Sequence, residues 1–167
     1  MSTKPKRILF VCTGNSCRSV MAQGLLQLRL KRAGPRLTTA VDVESAGMLA
    51  IEGLSPSREA LKLLLREGID LSSHMARGLT DHMIREADAI FVMERLHLDD
   101  VVRRVPEAKD KAHVLRRFGL PAGGIGADAD IPDPIGKPMD TYESCFNMIR
   151  DAVDRIVQWL TDPAGPR

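Results

Sequence analysis

The sequence has few cysteines and no long apolar run. Three cysteines stand among 167 residues, and a small, odd number argues against a disulfide-stabilised scaffold and for a reducing cytoplasm. No apolar run approaches the roughly 18 residues that a membrane-spanning helix needs. The apolar stretch that follows MSTKPKR is too short for the core of a signal peptide. We therefore expect a cytoplasmic protein with no membrane partner.

Familiar cofactor motifs are also missing. Neither G-x-G-x-x-G nor G-x-x-x-x-G-K-[ST] occurs, so dinucleotide binding and nucleotide hydrolysis have no support. Cys12 and Cys17 are spaced C-x4-C rather than C-x-x-C, and no histidine cluster accompanies them, so we predict no metal and no cofactor. The net charge of +2 is close to neutral and the basic residues form no block. This charge neither favours nor excludes nucleic acid, and we predict no such partner.

Apolar patterning predicts one α/β domain over residues 1–167, with loose termini at 1–6 and 161–167. Short strand-like runs alternate with amphipathic helical stretches along the whole chain. The predicted strands are 8–11, 39–45, 87–93 and 113–115, and the predicted helices are 17–33, 55–67, 80–86, 96–105 and 142–160. This alternation predicts three layers, a four-stranded parallel sheet with helices on both faces. Ligands of such sheets bind beyond the carboxyl ends of the strands.

Several helix boundaries are predicted from local signals. Gly34-Pro35 should end the first helix. Ser55 should cap the second, with Pro56 in its first turn and an apolar stripe of Ala60, Leu61, Leu64 and Leu65. Thr80 should cap the short third helix. The only tyrosine of the chain, Tyr142, falls in the closing helix.

The stretch from Arg7 to Ala22, RILFVCTGNSCRSVMA, holds the strongest functional signal. A buried strand delivers Cys12 to a Gly-Asn loop, and a helix opens near Cys17. Backbone N–H groups of such a loop and the helix dipole together bind a phosphate-like dianion, and they stabilise a thiolate at the same point. Cys12 is then a candidate nucleophile. Arg18 carries the planar fork that pairs with two phosphoryl oxygens.

A phosphoenzyme route also needs a proton donor for the leaving group. The best candidate is Asp133, because Pro134 holds it in extended geometry and two prolines stiffen the loop. Asp133 would act as acid in the first step and as base for water in the second. Asp128 and Asp130 are alternatives that no following proline fixes.

Each of these signals has a structural explanation when it is taken alone. A cysteine after a buried strand is usually a small core residue, and an Asp-Pro in a loop is usually only a loop. The functional hypothesis depends on their co-occurrence: strand, cysteine, Gly-Asn, arginine and helix in order, with a rigid acid far downstream.

The segment from Val11 to Ser19, VCTGNSCRS, resembles the V-C-x-G-N-x-C-R-S signature of the low-molecular-weight protein tyrosine phosphatase family. Asp133-Pro134 resembles the general-acid Asp-Pro of that family, and the likeness spans roughly residues 6–160. It implies a compact fold around a four-stranded parallel sheet. It also implies a cysteinyl-phosphate intermediate formed without a metal, and a phosphorylated protein as substrate.

The resemblance implies roles for the supporting residues. Cys12 would be the nucleophile, Arg18 the phosphate clamp and Asp133 the acid, with Thr13, Gly14 and Ser16 completing the phosphate-binding loop. Asn15 would shape the loop, Ser19 would donate to the Cys12 thiolate, and Ser45 and His74 would support Asn15. Cys17 would form a protective disulfide with Cys12 under oxidation.

Three departures from the family pattern stand out. Val20 and Gln23 replace the usual Pro and Glu, which we expect to affect the helix start slightly and the chemistry not at all. Ile135-Gly136 follows Asp133-Pro134 where tyrosines usually wall a deep slot for the phenyl ring. Ser16 replaces an apolar residue of tyrosine phosphatases, at a position where the arginine phosphatase branch carries Thr. Specificity is therefore expected to depend on Ser16 and Ile135.

Four functions remain in competition. The family as a whole favours a phosphotyrosine phosphatase, which is our first expectation, and Ser16 with Ile135-Gly136 favours a protein arginine phosphatase. Arsenate reduction on the same scaffold needs relay cysteines, but region 80–95 has none and Cys145 falls on a core-facing helix position. A phosphate-binding module without catalysis would be expected to lack Cys12, Arg18 or Asp133, and all three are present.

Overall fold

The computed structural model describes residues 6–124 and 128–162. Four strands and six α-helices follow one another along this part of the chain. The strands are β1 (Lys6–Cys12), β2 (Val41–Gly47), β3 (Ala89–Val92) and β4 (Ala112–Val114). The helices are α1 (Arg18–Ala33), α2 (Pro35–Ala40), α3 (Arg58–Arg66), α4 (Asp81–Glu86), α5 (Arg95–Arg104) and α6 (Met139–Thr161). Short 3-10 turns cover Pro106–Asp110 and Leu115–Arg117.

The four strands form one parallel sheet in the order β2-β1-β3-β4. Successive side chains of a strand point to opposite faces, so β1 contributes to two separate cores. Ile8 and Phe10 pack in the core that includes buried residues of α1, α3 and α6, while Leu9 and Val11 pack with residues of α4 and α5. The predicted three-layer α/β fold is therefore confirmed.

The register brings the carboxyl ends of three strands together. Cys12 at the end of β1 pairs with Gly47 of β2, and Val11 pairs with Val92 of β3. The loops that follow β1, β2 and β3 consequently meet at one edge of the sheet, which is where parallel sheets hold their ligands.

Gly34-Pro35 ends α1 as predicted, since α1 stops at Ala33 and a separate short helix, α2, begins at Pro35. The predicted start and buried face of α3 are wrong. Ser57, not Ser55, caps α3, because its side chain accepts from the Ala60 N–H and its own N–H donates to the Ser16 carbonyl. The stripe of α3 is rotated as well: Leu63 is buried, whereas Leu65 is 57% exposed.

The predictions for Thr80 and Tyr142 are confirmed, and the predicted loose termini lie only partly within the described residues. Thr80 caps α4 by accepting from the Met83 N–H, and Tyr142 is buried in α6. Lys6 belongs to β1 and Thr161 belongs to α6, so each predicted loose terminus includes one residue of regular secondary structure. Residues 1–5 and 163–167 lie outside the described residues. Among the described helices, none has the length and apolar character needed to cross a membrane.

Candidate active site

The loop between β1 and α1 wraps around the sulfur of Cys12. The Asn15 N–H donates to Cys12 Sγ over 3.2 Å, and Ser19 Oγ lies 3.0 Å from the same sulfur. Asn15 adopts a left-handed backbone conformation within this loop, with φ of 52°. Gly47 of β2 allows the loop to pack closely against this strand, because a Cβ at position 47 would lie 2.6 Å from the Thr13 carbonyl oxygen. The loop is thus built around a buried cysteine side chain.

The buried side chain of Asn15 connects the loop to its surroundings. Its Nδ2 donates to Ser19 Oγ (2.8 Å) and to Ser45 Oγ (2.9 Å), while its Oδ1 accepts from the Arg77 N–H (3.0 Å). His74 Nε2 lies 3.3 Å from Asn15 Oδ1. Because Ser19 accepts from Asn15, its own hydrogen is free to donate to Cys12 Sγ. The structure therefore brings together Asn15, Ser19, Ser45 and His74, the four supporting residues that the family resemblance implied.

Arg18 is 1% exposed, yet its guanidinium reaches the mouth of the loop. Nη1 donates to the Glu94 carboxylate and to the Ile131 carbonyl (2.7 Å). Nη2 lies 3.5 Å from Thr13 Oγ1 and 3.6 Å from Asp133 Oδ2. One nitrogen is thus tied to the protein, and the other faces the residues that line the pocket.

The three candidate carboxylates occupy different places. Asp133 lines the same pocket as Cys12, with its side chain 44% exposed and Oδ1 accepting from the Ile135 N–H (3.1 Å). Asp130 accepts from the Arg95 N–H (2.7 Å) at the start of α5 and lines a different cavity. Asp128 is exposed, and its carbonyl accepts from Arg116. Of the three, Asp133 is the one positioned beside the loop.

The pocket above Cys12 has a volume of about 390 Å³ and is open to solvent on one side. Its described lining contains no aromatic side chain: Cys12, Thr13, Gly14, Ser16, Cys17, Arg18, Leu54, Ser55, Ser57, Asp133 and Ile135. Ile135 is 50% exposed and Leu54 is 45% exposed, so these two side chains supply the apolar rim. The pocket therefore combines the Cys12 sulfur, the Arg18 guanidinium and the Asp133 carboxyl with an apolar rim.

The other two cysteines are buried and unpaired. Burial, followed by the neighbouring Cys145, raises the pKa of the Cys17 thiol well above its usual value. Burial also raises the pKa of Cys145 to about 12. Both side chains therefore remain protonated thiols at neutral pH. The described residues include no group of three metal-binding side chains.

Sequence reasoning missed Glu94 and His97, which both contact the loop. Glu94 pairs with Arg18, and His97 Nε2 lies 2.9 Å from Thr13 Oγ1. The rule that ligands bind beyond the carboxyl ends of parallel strands could have pointed to Glu94, because the strand predicted at 87–93 ends just before it. The Ile131 carbonyl could not have been found in this way, because it belongs to the backbone of an irregular loop.

The protein is a parallel α/β structure whose candidate site lies at the carboxyl edge of the sheet, in the loop that wraps around the sulfur of Cys12. A family model described as "Low molecular weight phosphotyrosine protein phosphatase" matches residues 7–163, and the chain belongs to that family. It is a hydrolase of the low-molecular-weight protein-tyrosine-phosphatase type. The family resemblance expected from the VCTGNSCRS segment is confirmed.

Similar proteins include both arginine and tyrosine phosphatases. A protein-arginine-phosphatase of Geobacillus stearothermophilus is 38% identical over 156 residues, which is 93% of this chain and 97% of that protein. The structure of the YwlE arginine phosphatase from the same organism has a TM-score of 0.79 over 93% of each chain. The low molecular weight protein tyrosine phosphatase from T. tengcongensis has a TM-score of 0.80 at 34% identity, covering 92% of this chain and 98% of that one.

Proposed function

We propose that the protein removes phosphoryl groups from phosphorylated proteins through a cysteinyl-phosphate intermediate, in the cytoplasm. The observation that carries this proposal is the shared pocket of Cys12, Arg18 and Asp133. A nucleophile, a cationic fork and a carboxyl group converge on one pocket, which residues of the loop also line. Thr13, Gly14, Ser16 and Cys17 complete the phosphate-binding loop, and Asn15, Ser45 and His74 support its shape.

In the first step, the Cys12 thiolate attacks phosphorus and forms the S–P bond. Loop N–H groups and Arg18 Nη2 stabilise the negative charge that develops on the phosphoryl oxygens. Asp133 gives its proton to the leaving atom as the bond between that atom and phosphorus breaks. The 3.6 Å separation between Asp133 Oδ2 and Arg18 Nη2 supports this role, because the carboxyl and the guanidinium lie next to each other at the pocket.

In the second step, water attacks phosphorus and the S–P bond breaks. Asp133, now ionised, accepts the proton of the water molecule. The Ser19 hydroxyl, 3.0 Å from Cys12 Sγ, donates a hydrogen bond to the departing thiolate. Phosphate then leaves, and the free thiolate is restored.

We infer that the preferred phosphorylated residue is arginine. A phenyl ring gains most from aromatic walls, and the pocket lining described above has only Leu54 and Ile135 as large apolar side chains. An arginine side chain presents an aliphatic stem that Leu54 and Ile135 can contact without a ring, and its guanidino nitrogen can take the proton that Asp133 donates in the first step. The 38% identity to a protein-arginine-phosphatase supports the same substrate.

Phosphotyrosine, the first expectation from sequence, is the second candidate. The apolar rim favours it, because Leu54 and Ile135 can flank a ring. The 34% identity to a tyrosine phosphatase across nearly the whole of both chains supports it too.

The test compares phosphate release from phosphoarginyl and phosphotyrosyl peptides with the same flanking residues. We expect kcat/KM to be at least about tenfold higher for phosphoarginine, a difference of roughly 1.4 kcal/mol in transition-state binding. A higher value for phosphotyrosine would select the second candidate.

The mechanism is tested with Cys12→Ser, for which we expect no measurable turnover of either peptide. The matched control is Cys145→Ser, a buried cysteine outside the pocket, which should retain activity. Acid quenching during turnover should yield a phosphocysteine at Cys12 in the wild-type protein. Activity that survives Cys12→Ser would contradict the cysteinyl-phosphate mechanism.

A further inference from the structure

His97 is a fully buried polar residue that the proposed reaction leaves without a role. It lies in the first turn of α5, next to the phosphate-binding loop. Both ring nitrogens are engaged: Nδ1 accepts from the Glu94 backbone N–H over 3.1 Å, and Nε2 lies 2.9 Å from Thr13 Oγ1. The imidazole thus connects the start of α5 to a side chain of the loop.

These contacts fix the tautomer of His97. A backbone N–H can only donate, so Nδ1 must present its lone pair to Glu94. A neutral imidazole then carries its hydrogen on Nε2, which donates to Thr13 Oγ1. Burial, followed by the positive charge of Arg18, lowers the pKa of His97 to about 4, so the ring is neutral at physiological pH.

The tautomer of His97 in turn restricts the Thr13 hydroxyl. A hydroxyl has two acceptor positions and one hydrogen. Thr13 Oγ1 accepts from His97 Nε2 and, over 3.5 Å, from Arg18 Nη2. Both acceptor positions are therefore used, and neither neighbour can accept the hydroxyl hydrogen. Thr13 lines the pocket, so an acceptor for that hydrogen is available when an anion occupies the space above Cys12.

We propose that the Thr13 hydroxyl is a phosphoryl-binding donor and that His97 is the positioning residue that holds it in its donating orientation. This inference rests on the proposed phosphatase function. It adds one side-chain donor to the loop N–H groups and the Arg18 fork.

Glu94 connects the contacts of Arg18 with those of His97. Its carboxylate pairs with Arg18, while its backbone N–H orients His97. The first turn of α5 therefore positions both Arg18 and Thr13, the two side chains that would donate to the phosphoryl oxygens. A displacement of this turn would weaken both donors together.

The test is made on the full chain with Thr13→Val and Thr13→Ser. Valine keeps the branched shape but lacks the hydroxyl, and serine restores the hydroxyl. We expect Thr13→Val to lower kcat/KM about tenfold or more, and to weaken the binding of inorganic phosphate by a similar factor, because a charge-assisted hydrogen bond is lost. Thr13→Ser should stay within about threefold of wild type in both measurements.

The role of His97 is tested with His97→Leu and His97→Gln. Leucine removes both ring contacts, whereas the glutamine Nε2 can still donate toward Thr13. We expect His97→Leu to weaken phosphate binding about as much as Thr13→Val, and the double variant to be no worse than either single variant, because both changes remove the same donor. His97→Gln should recover part of the loss, and thermal denaturation identifies variants that do not fold.

The outcomes separate this inference from the proposed function. Phosphate affinity is measured by calorimetry and does not require turnover. Unchanged affinity in Thr13→Val, equal losses in Thr13→Ser and Thr13→Val, or additive effects of Thr13→Val and His97→Leu would each overturn the inference. Activity of Cys12→Ser would overturn the proposed mechanism instead, whatever the Thr13 variants show.

Discussion

The two sides of the phosphate-binding loop are held by different kinds of contact. On the asparagine side, defined as Asn15, Ser19, Ser45, His74 and Arg77, the loop is held by hydrogen bonds among hydroxyls, an amide, an imidazole and a backbone N–H. On the arginine side, defined as Thr13, Arg18, Glu94 and His97, the central contact is the partly buried ion pair of Arg18 and Glu94.

The difference indicates a division of labour. The contacts of the asparagine side end on Asn15, whose backbone has the unusual φ of 52°, so this side fixes the shape of the loop. The arginine side leaves Nη2 of Arg18 facing the pocket, 3.6 Å from Asp133, so this side presents a cationic group to the pocket. Changes on the asparagine side should therefore reduce folding stability more, and changes on the arginine side should reduce activity more.

Arg18→Lys should have the largest effect, and it should lower activity rather than stability. Lysine keeps the charge but cannot hold Glu94 with one nitrogen and a phosphoryl oxygen with another, as the planar guanidinium can. We expect kcat to fall about 10²- to 10³-fold, the usual loss when a donor to the transition state is removed. Steady-state phosphate release measures this effect, and thermal denaturation should shift by only a few degrees.

The matched control is Arg29→Lys, the same substitution on the same helix. Arg29 pairs with Asp154 over 2.8 Å, away from the loop. Its kcat should match that of the wild-type protein. A similar loss in both variants would show that α1, not the fork of Arg18, is responsible.

Asn15→Ala tests the asparagine side and should mainly lower folding stability. It removes partners from Ser19, Ser45 and the Arg77 N–H, and it places alanine in a left-handed conformation that costs about 1 kcal/mol. With roughly 1 kcal/mol for each lost hydrogen bond, the free energy of unfolding should fall by about 4 kcal/mol. Urea denaturation measures this change.

Asn15→Gly separates the two contributions. Glycine tolerates the left-handed φ, so it should lose the hydrogen bonds but not the added strain. A difference of about 1 kcal/mol between the glycine and alanine variants is expected. If Asn15→Ala were as stable as the wild-type protein, the asparagine side would not hold the shape of the loop.

The fold and one half of the site could be predicted from sequence because their signals are local. Strand and helix periodicities predicted the layers, and Cys12 and Arg18 flank one short loop. The helix start at Ser57 could not be read locally, since its N–H is held by the Ser16 carbonyl across the structure. The run of three leucines at 63–65 also did not show which of them face the core, so the buried face of α3 was predicted wrongly.

Glu94, His97 and the Ile131 carbonyl were missed because their contacts with Thr13 and Arg18 are distant in sequence. Glu94 and the Ile131 carbonyl reach Arg18 across 76 and 113 residues. They do so only because β3 lies beside β1 in a register that pairs Val11 with Val92. Local patterning carries no information on that register, and a backbone carbonyl has no sequence signature at all.

His97 gives the arginine side a dependence of stability on pH. Its pKa is lowered to about 4 by burial and by Arg18, whereas in the unfolded chain it binds a proton below about 6.5. The unfolded state therefore holds more protons between these values. Stability should fall as the pH drops from about 6.5 to about 4, by up to about 1.4 kcal/mol per pH unit and about 3 kcal/mol in total.

The measurement is urea denaturation of the wild-type protein and His97→Gln at several pH values. Burial also lowers the pKa of His74 and His113, so the wild-type slope should include their contributions. The variant should lose the share that belongs to His97. Parallel slopes for the two proteins would show that His97 does not remain neutral in the folded state.

Ser45→Ala should give the smallest effect and should sharpen the comparison most directly. Ser45 Oγ accepts from Asn15 Nδ2 and donates to Gln23 Oε1, so Gln23 also belongs to the support of the loop. Losing this hydroxyl should lower the free energy of unfolding by about 1–2 kcal/mol. Because Ser19 and the Arg77 N–H still hold Asn15, kcat should change by less than about threefold. A tenfold loss of kcat with unchanged stability would mean that the asparagine side tunes the chemistry instead of the shape of the loop.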